Sequence, residues 1–384
     1  MQKEVIVEKN QGHMFWIEVH IGHLLHNINI LQKHLGPTIN MLPVVKADAY
    51  GHGAVAISKE LQKNSSVIGL AVSSVAEGIE LRCSGINIPI FILEYISPGQ
   101  EESIVDCDLV PLLTNLSMAE KLGLLGKEKQ KKVQVQVRVA VEAGNIGVSI
   151  DELPNLLLQI KGMEWLELKG FFTHLYAAYS KNDVMVAKQL SVFKKAVKMA
   201  NDYNITFPLT HAASSPAILK YPDSYFNTVR PGTIMYGLPS FEDQEDTGLR
   251  PVMQLKSKIT NIITLPAGGV IAGYVKQPYC SSTMRLATVP LGYRDAPFLL
   301  NMQGGEVLVK GERTKIVGSP FMTHLLVDVT RICEANLGDE VVFFGEQVED
   351  TIKAEDIANK AGIGATHCES ICFLSSRIPR SFIL

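Results

Sequence analysis

The stretch with the clearest capacity for chemistry is Met41-Leu-Pro-Val-Val-Lys46-Ala-Asp-Ala-Tyr50-Gly-His-Gly53. A short apolar run ends in a lysine, and the tyrosine and glycines beyond it turn the chain out into a loop. At the rim of an apolar wall the charged form of a lysine loses solvation, so its pKa falls and the free amine can form an imine or act as a base. Spacing alone equally allows a snorkelling lysine that caps a strand. Other residues have a similar double reading. Arg230-Pro-Gly232-Thr233 is by itself a turn that carries an arginine. His174 and His211 could be buried histidines satisfied by backbone, and Tyr274 a strand aromatic. His20, His23 and His26 recur at i, i+3 and i+6, which invites a metal reading, but solvated or capping histidines on a surface helix are the commoner case.

The pattern of elements decides which of these residues can meet. A short strand at Phe15-Trp-Ile-Glu-Val19 precedes a helix from about Ile21 to Leu35. From Leu42 to about Leu238, apolar runs alternate with helical stretches. Strands are expected at Leu42 to Lys46, Val67 to Val72, Ile88 to Leu93, Leu109 to Leu113, Val133 to Val139, Leu168 to His174, Phe207 to His211 and Asn227 to Arg230. Eight strands separated by helices predict a parallel (β/α)8 TIM-like barrel, whose site is built at the C-terminal ends of its strands. Lys46, His174, His211 and Arg230 are all expected at such ends. The acidic segment from Phe241 to Gly248 marks a boundary. Period-2 patterns follow it at Arg285 to Leu291, Glu306 to Lys310, Leu325 to Val329 and Glu340 to Phe344, which predict a mostly β C-terminal domain. The expected division is a barrel over residues 12–240 and a β domain over 246–384.

Composition excludes some classes of partner. A net charge of −3 with well-mixed charged residues gives no reason to expect nucleic acid. No run of about 18 apolar residues suggests a membrane span, and no secretory leader is evident. The cysteines, Cys83, Cys107, Cys280, Cys333, Cys368 and Cys372, show no CxxC pair and no regular framework, which suits a reducing compartment. A cytoplasmic location is expected.

VVKADAYGHG resembles the cofactor-lysine signature of the alanine racemase family, and FWIEVH...LLHNI resembles the start of its members. The resemblance implies pyridoxal 5′-phosphate as cofactor and Lys46 as the lysine that binds it. It also implies that the strand near residues 14–19 joins the C-terminal domain in space. VRPGTIMYGL resembles the family segment that supplies an arginine to the pyridine nitrogen, here Arg230, and phosphate-facing amides, here Gly232 and Thr233. His211-Ala-Ala-Ser-Ser215 resembles the stretch whose serine reaches the phosphate, so Ser215 would do so and His211 would orient Arg230. Phe172-Thr-His174 places His174 against the ring, and Tyr50 would bond the phosphate. A guanidinium cannot give up its proton at ordinary pH, so it keeps the pyridine nitrogen unprotonated and discourages transamination. IAGY274 followed by TVPLGY293 resembles the family's tyrosine pair. Tyr274 is then the second base, reaching the lysine of a partner subunit, and Tyr293 a substrate-side residue. A head-to-tail homodimer with shared sites and a small amino-acid substrate follow.

Several pocket positions depart from the family pattern. Asn145 stands where an arginine usually meets the cofactor and the substrate carboxylate, and Arg138 replaces a lysine that is often carbamylated. Arg138 is expected to supply the lost positive charge. Met322 is kept, with its backbone N–H toward the substrate carboxylate, whereas Phe321 and Thr323 replace a cysteine and an aspartate. Cys368 replaces a pocket tyrosine and opens volume, and Arg294 replaces an alanine. Alanine or a related polar amino acid such as serine is the expected substrate, and an acidic one if Arg294 faces the pocket. A decarboxylase of the same fold is an alternative, although its ring-nitrogen partner is typically glutamate. A non-catalytic pyridoxal phosphate binder is another.

Overall fold

The structure, a computed structural model, describes residues 12–384 apart from 95, 143, 181, 242–246, 274–278 and 364–367. The expected boundary segment therefore lies largely outside the described residues. Strand β1 (Phe15–His20) leads directly into a helix over Ile21–Leu35, which buries Leu24, Ile28 and Leu31 on one face.

The strands β2 (Asn40–Met41), β3 (Leu70–Val72), β4 (Ile90–Ile92), β5 (Leu109–Val110), β6 (Leu112–Leu113), β7 (Val133–Arg138), β8 (Leu166–Phe172), β9 (Leu209–Ser214) and β10 (Thr228–Arg230) all pair in parallel. They form two sheets, ordered β2-β10-β9-β8-β7-β6 and β3-β4-β5. The sheets close on each other. On one side β5 and β6 are a single run interrupted at Pro111. On the other, parallel bridges join Met41 to Val67 and Val44 to Ala71. The result is the expected eight-stranded barrel. Its interior is filled by Leu42, Val44, Ala71, Phe91, Val110 and Leu209, while a larger apolar shell packs the strands against the surrounding helices. Strands buried on both faces explain why these runs read as continuous Val, Leu and Ile.

The first barrel strand begins earlier than expected and is regular only over Asn40–Met41, because Pro43 has no N–H to give. The ladder nevertheless continues, with Leu42 N–H donating to Val229 O at 2.8 Å and Val45 N–H to Ala71 O at 2.8 Å. Lys46 is the first residue after it. His211 corrects the expected placement: β9 runs on to Ser214, so the histidine lies within the strand rather than at its end.

The C-terminal half contains β11 (Met253–Lys258), β12 (Asn261–Leu265), β13 (Met284–Val289), β14 (Glu306–Val309), β15 (Glu312–Val317), β16 (Leu325–Asp328), β17 (Glu340–Gln347), β18 (Asp350–Ile352) and β19 (Arg380–Ile383). They form a mostly antiparallel sheet in which β1 lies between β11 and β19. Ile17 and Val19 are fully buried there. The N-terminal strand thus belongs to the C-terminal sheet. Buried Asn27 pins the junction, donating to Met235 O at 3.0 Å and Arg250 O at 2.8 Å and accepting from Arg250 N–H at 2.8 Å.

Candidate active site

Lys46 opens a turn of unusual hand. Ala47, Asp48, Ala49 and Tyr50 have φ of 52°, 54°, 53° and 54°, a left-handed helical turn built from non-glycine residues. Each such residue costs about 1–2 kcal/mol, and such strain persists only where its surroundings impose it. Here they do. Glu77 Oε1 accepts the Ala47 N–H at 2.7 Å, and Asp48 Oδ1 accepts the Ala54 N–H at 2.7 Å. Arg380 donates to Gly51 O at 2.8 Å and pairs with Asp48 at 3.5 Å. His52 Nδ1 donates to Ala49 O at 2.8 Å. Glu77 is itself fixed in a capping box with Ser74. The turn brings the side chains of Lys46 and Tyr50 to the same cavity.

That cavity holds about 370 Å³ and sits at the C-terminal ends of the barrel strands. Lys46 and Tyr50 line it from the turn, Arg138 from the end of β7, His174 from just beyond β8, Ser215 from beyond β9, and Arg230 and Gly232 from the end of β10. This is the face on which barrel enzymes place their sites.

One end of the cavity is a cradle for an anion. Ser215 Oγ accepts the Gly232 N–H at 3.0 Å. A Cβ on residue 232 would stand 2.9 Å from Tyr50 Oη, so only glycine leaves the space open. Thr233 Oγ1 is buried with no partner. Burial pushes the Tyr50 phenol well above its ordinary pKa, with Tyr179, Cys368 and Cys372 adding to the shift, so its hydroxyl stays a donor. The Tyr50 and Ser215 hydroxyls border the open space beside Gly232, a donor set that fits the phosphate of pyridoxal phosphate.

At the other end Arg230 is held by four acceptors. Its Nη1 meets His211 Nδ1 at 2.8 Å and His211 O at 3.2 Å, and its Nη2 donates to Thr173 O at 2.9 Å and Ala212 O at 3.2 Å. Burial, and then the neighbouring Arg138, pull its pKa down to about 9, which leaves a cation at neutral pH. Burial and Arg230 hold His211 well below its ordinary pKa, so its neutral ring accepts at Nδ1. His174 is lowered well below its ordinary value by burial and then by Arg230, Arg138 and Lys46. A fixed cation beside neutral imidazoles fits a heteroaromatic ring with an acceptor nitrogen.

Arg138 lies over the Phe172 ring at 5.6 Å, the same distance as Arg230. Its Nη1 donates to Leu93 O and its Nη2 to Tyr176 Oη, both at 2.8 Å. Arg138 is thus a lining residue of the cavity, tied to its wall by both bonds. Asn145 does not line the cavity wall, where the next residue, Ile146, stands instead. The wall also includes residues the sequence did not flag: Glu94, Tyr176 and Tyr179. Glu94 Oε1 lies 3.0 Å from Lys46 Nζ. A lone glutamate in ILEYISPGQ carries no spacing signal, so only the barrel's closure reveals it.

The remaining expected residues belong to the C-terminal half. Tyr274 lies outside the described residues. Tyr293 and Met322 come together, the Tyr293 N–H donating to Phe321 O at 3.2 Å and the Arg294 N–H to Met322 O at 3.1 Å, but neither lines this cavity within one chain. Arg294 is turned onto its neighbour Asp295, at 2.9 Å, rather than toward the cavity. Cys368 is half-buried and near Tyr50.

Two family models match the chain: "Alanine racemase, N-terminal domain" over residues 19–240 and "Alanine racemase, C-terminal domain" over residues 252–382. An alanine racemase of Clostridium kluyveri is 34% identical over 373 residues, covering 96% of this chain and 94% of the relative. One from Methanococcus maripaludis is 30% identical, covering 97% and 99%. The solved structure of an alanine racemase from Clostridium difficile superposes with a TM-score of 0.90 at 32% identity, covering 97% of both chains.

Proposed function

The chain belongs to the alanine racemase family, and from that premise we propose that it interconverts L- and D-alanine with pyridoxal 5′-phosphate bound in the barrel cavity. The observation that carries the reading is the convergence of Lys46, the fixed cation of Arg230 and the Gly232–Ser215–Tyr50 cradle on one cavity. Bound there, pyridoxal phosphate would supply an electron sink that acidifies the Cα–H of an amino acid.

The chain's own groups then have distinct tasks. Gly232 and Thr233 N–H, Ser215 and Tyr50 would hold the phosphate. Arg230, oriented by His211, would face the ring nitrogen as a donor that stays protonated at neutral pH, which keeps charge near Cα and discourages transamination. His174 would pack against the ring. Arg138 would offer positive charge to the substrate carboxylate in place of Asn145, which is off the wall. Lys46 Nζ would take or return the Cα proton on one face, and Tyr274 of the partner subunit would do so on the other. Tyr293, Met322 and Cys368 would complete the substrate side, in a head-to-tail homodimer with shared sites. The smaller side chain of Cys368 leaves room for serine as a second substrate. No helix of the described residues is long and apolar enough to cross a membrane, and a cytoplasmic setting is part of this reading. A decarboxylase of this fold would call for a glutamate toward the ring nitrogen, and the charged group here is Arg230, so the geometry favours the racemase.

Two variants test it. Lys46→Ala should lower racemisation by at least about a thousandfold. Tyr274→Phe should slow racemisation in both directions while Cα-proton exchange persists for one enantiomer. Full activity of Lys46→Ala would overturn the reading.

A further inference from the structure

Glu94 follows β4, two strands away from Lys46 around the barrel, and its carboxylate reaches the lysine nitrogen at 3.0 Å. Both side chains are 35% exposed, so the pair lies at the mouth of the cavity, where water screens it only in part. The backbone carrying Glu94 is fixed from both sides: Leu93 N–H donates to Val72 O at 2.9 Å, and Leu93 O accepts from Arg138 at 2.8 Å. Of the charged side chains on the cavity wall, Lys46, Arg138 and Arg230 are cations, and Glu94 is the carboxylate among the described residues.

We propose that Glu94 is the positioning residue of Lys46, holding its amine on one side of the cavity and stabilising the ammonium that forms when Nζ takes the Cα proton. This rests on the racemase reading above. A lysine has a long stem with about 2 kcal/mol of rotamer freedom. Once released, its amine can swing between several rotamers unless something holds it. A carboxylate set on a fixed backbone supplies both a direction and a compensating charge, much as a buried acid orients a catalytic base. The proton balance is simple: the Cα proton passes to the Nζ lone pair, the resulting ammonium pairs with the Glu94 carboxylate, and the proton returns to Cα by the reverse path.

The role predicts an asymmetry. Only one enantiomer gives its proton to Lys46, so Glu94→Gln should slow solvent-deuterium exchange at Cα of that enantiomer by at least about tenfold. Exchange of the other enantiomer, which uses the opposite base, should change by less than about twofold. Glu94→Asp, one methylene short, should fall between. A second readout does not depend on turnover. Borohydride trapping of added pyridoxal phosphate, followed by peptide mass analysis, should show that Lys46 of Glu94→Gln still captures the cofactor, which separates loss of positioning from loss of the cofactor site. If the wild type itself fails to capture cofactor at Lys46, the racemase reading falls and takes this one with it. If the wild type captures cofactor and racemises, while Glu94→Gln leaves both exchange rates unchanged or lowers both equally, the role of Glu94 alone is overturned.

Discussion

Arg230 and His211 form a buried pair, with Nη1 and Nδ1 2.8 Å apart, and each fixes the state of the other. Burial, and then the guanidinium, keep the imidazole neutral and accepting, and the imidazole in turn holds the guanidinium. His211→Phe should therefore leave a buried donor of a charged group short of one acceptor. Chemical denaturation should show a loss of about 1–3 kcal/mol. Racemisation should fall as Arg230 loses its aim. Unchanged stability and activity would mean that the three carbonyl acceptors suffice.

The space beside Gly232 exists because the residue has no Cβ. Gly232→Ala would place a carbon 2.9 Å from Tyr50 Oη and displace the phenol from the cradle. Titration with pyridoxal phosphate, followed by absorbance, should show affinity weakened by at least about tenfold, the loss of one or two charge-assisted hydrogen bonds. Ser215→Ala should weaken it less, since the Gly232 amide remains.

Arg138 and Asn145 separate a charge on the cavity wall from a residue off it. Arg138→Ala removes the donor to both Leu93 O and Tyr176 Oη. It should lower kcat/KM for alanine by about tenfold or more. Asn145→Ala should stay within about twofold. The opposite ranking would show that the loop carrying Asn145 reaches the substrate after all.

His52 makes stability sensitive to acid. It is buried, stacks on Tyr236 at a centroid distance of 4.3 Å, and burial lowers its pKa from 6.5 to about 4. Above pH 6.5 the ring is neutral whether the chain is folded or not. Below that, the unfolded chain takes a proton that the buried ring refuses. Stability therefore falls as pH falls toward about 4, by roughly 3 kcal/mol over the window. Urea midpoints near about pH 7 and about pH 5 should differ less in His52→Asn, which keeps a donor toward Ala49 O but has nothing to protonate.

Much of this architecture is legible in the residues, and what is hidden has physical causes. The apolar runs of the barrel and the period-2 runs of the β domain announce themselves because burial on both faces or on one face dictates their patterns. The pairing of β1 with β11 is not written in either strand, since partners distant in sequence meet only through tertiary packing. The left-handed turn after Lys46 is invisible in Ala-Asp-Ala, residues that favour the opposite hand. It exists because Glu77, Asp48 and Arg380 hold it there. Glu94 is hidden for a similar reason: a single acid after a strand looks like any surface residue until the barrel closes. Asn145 was expected in the pocket from its place in a motif, but the loop turns Ile146 inward instead.

The most direct test of the central claim is chiral analysis of Cα-deuterated L-alanine and D-alanine incubated separately with the purified, pyridoxal phosphate-loaded protein. The account predicts that both converge on the racemic mixture with loss of Cα deuterium to solvent, and that Lys46→Ala abolishes both changes. Retention of chirality and deuterium by the loaded protein, or consumption of alanine with release of carbon dioxide, would contradict it.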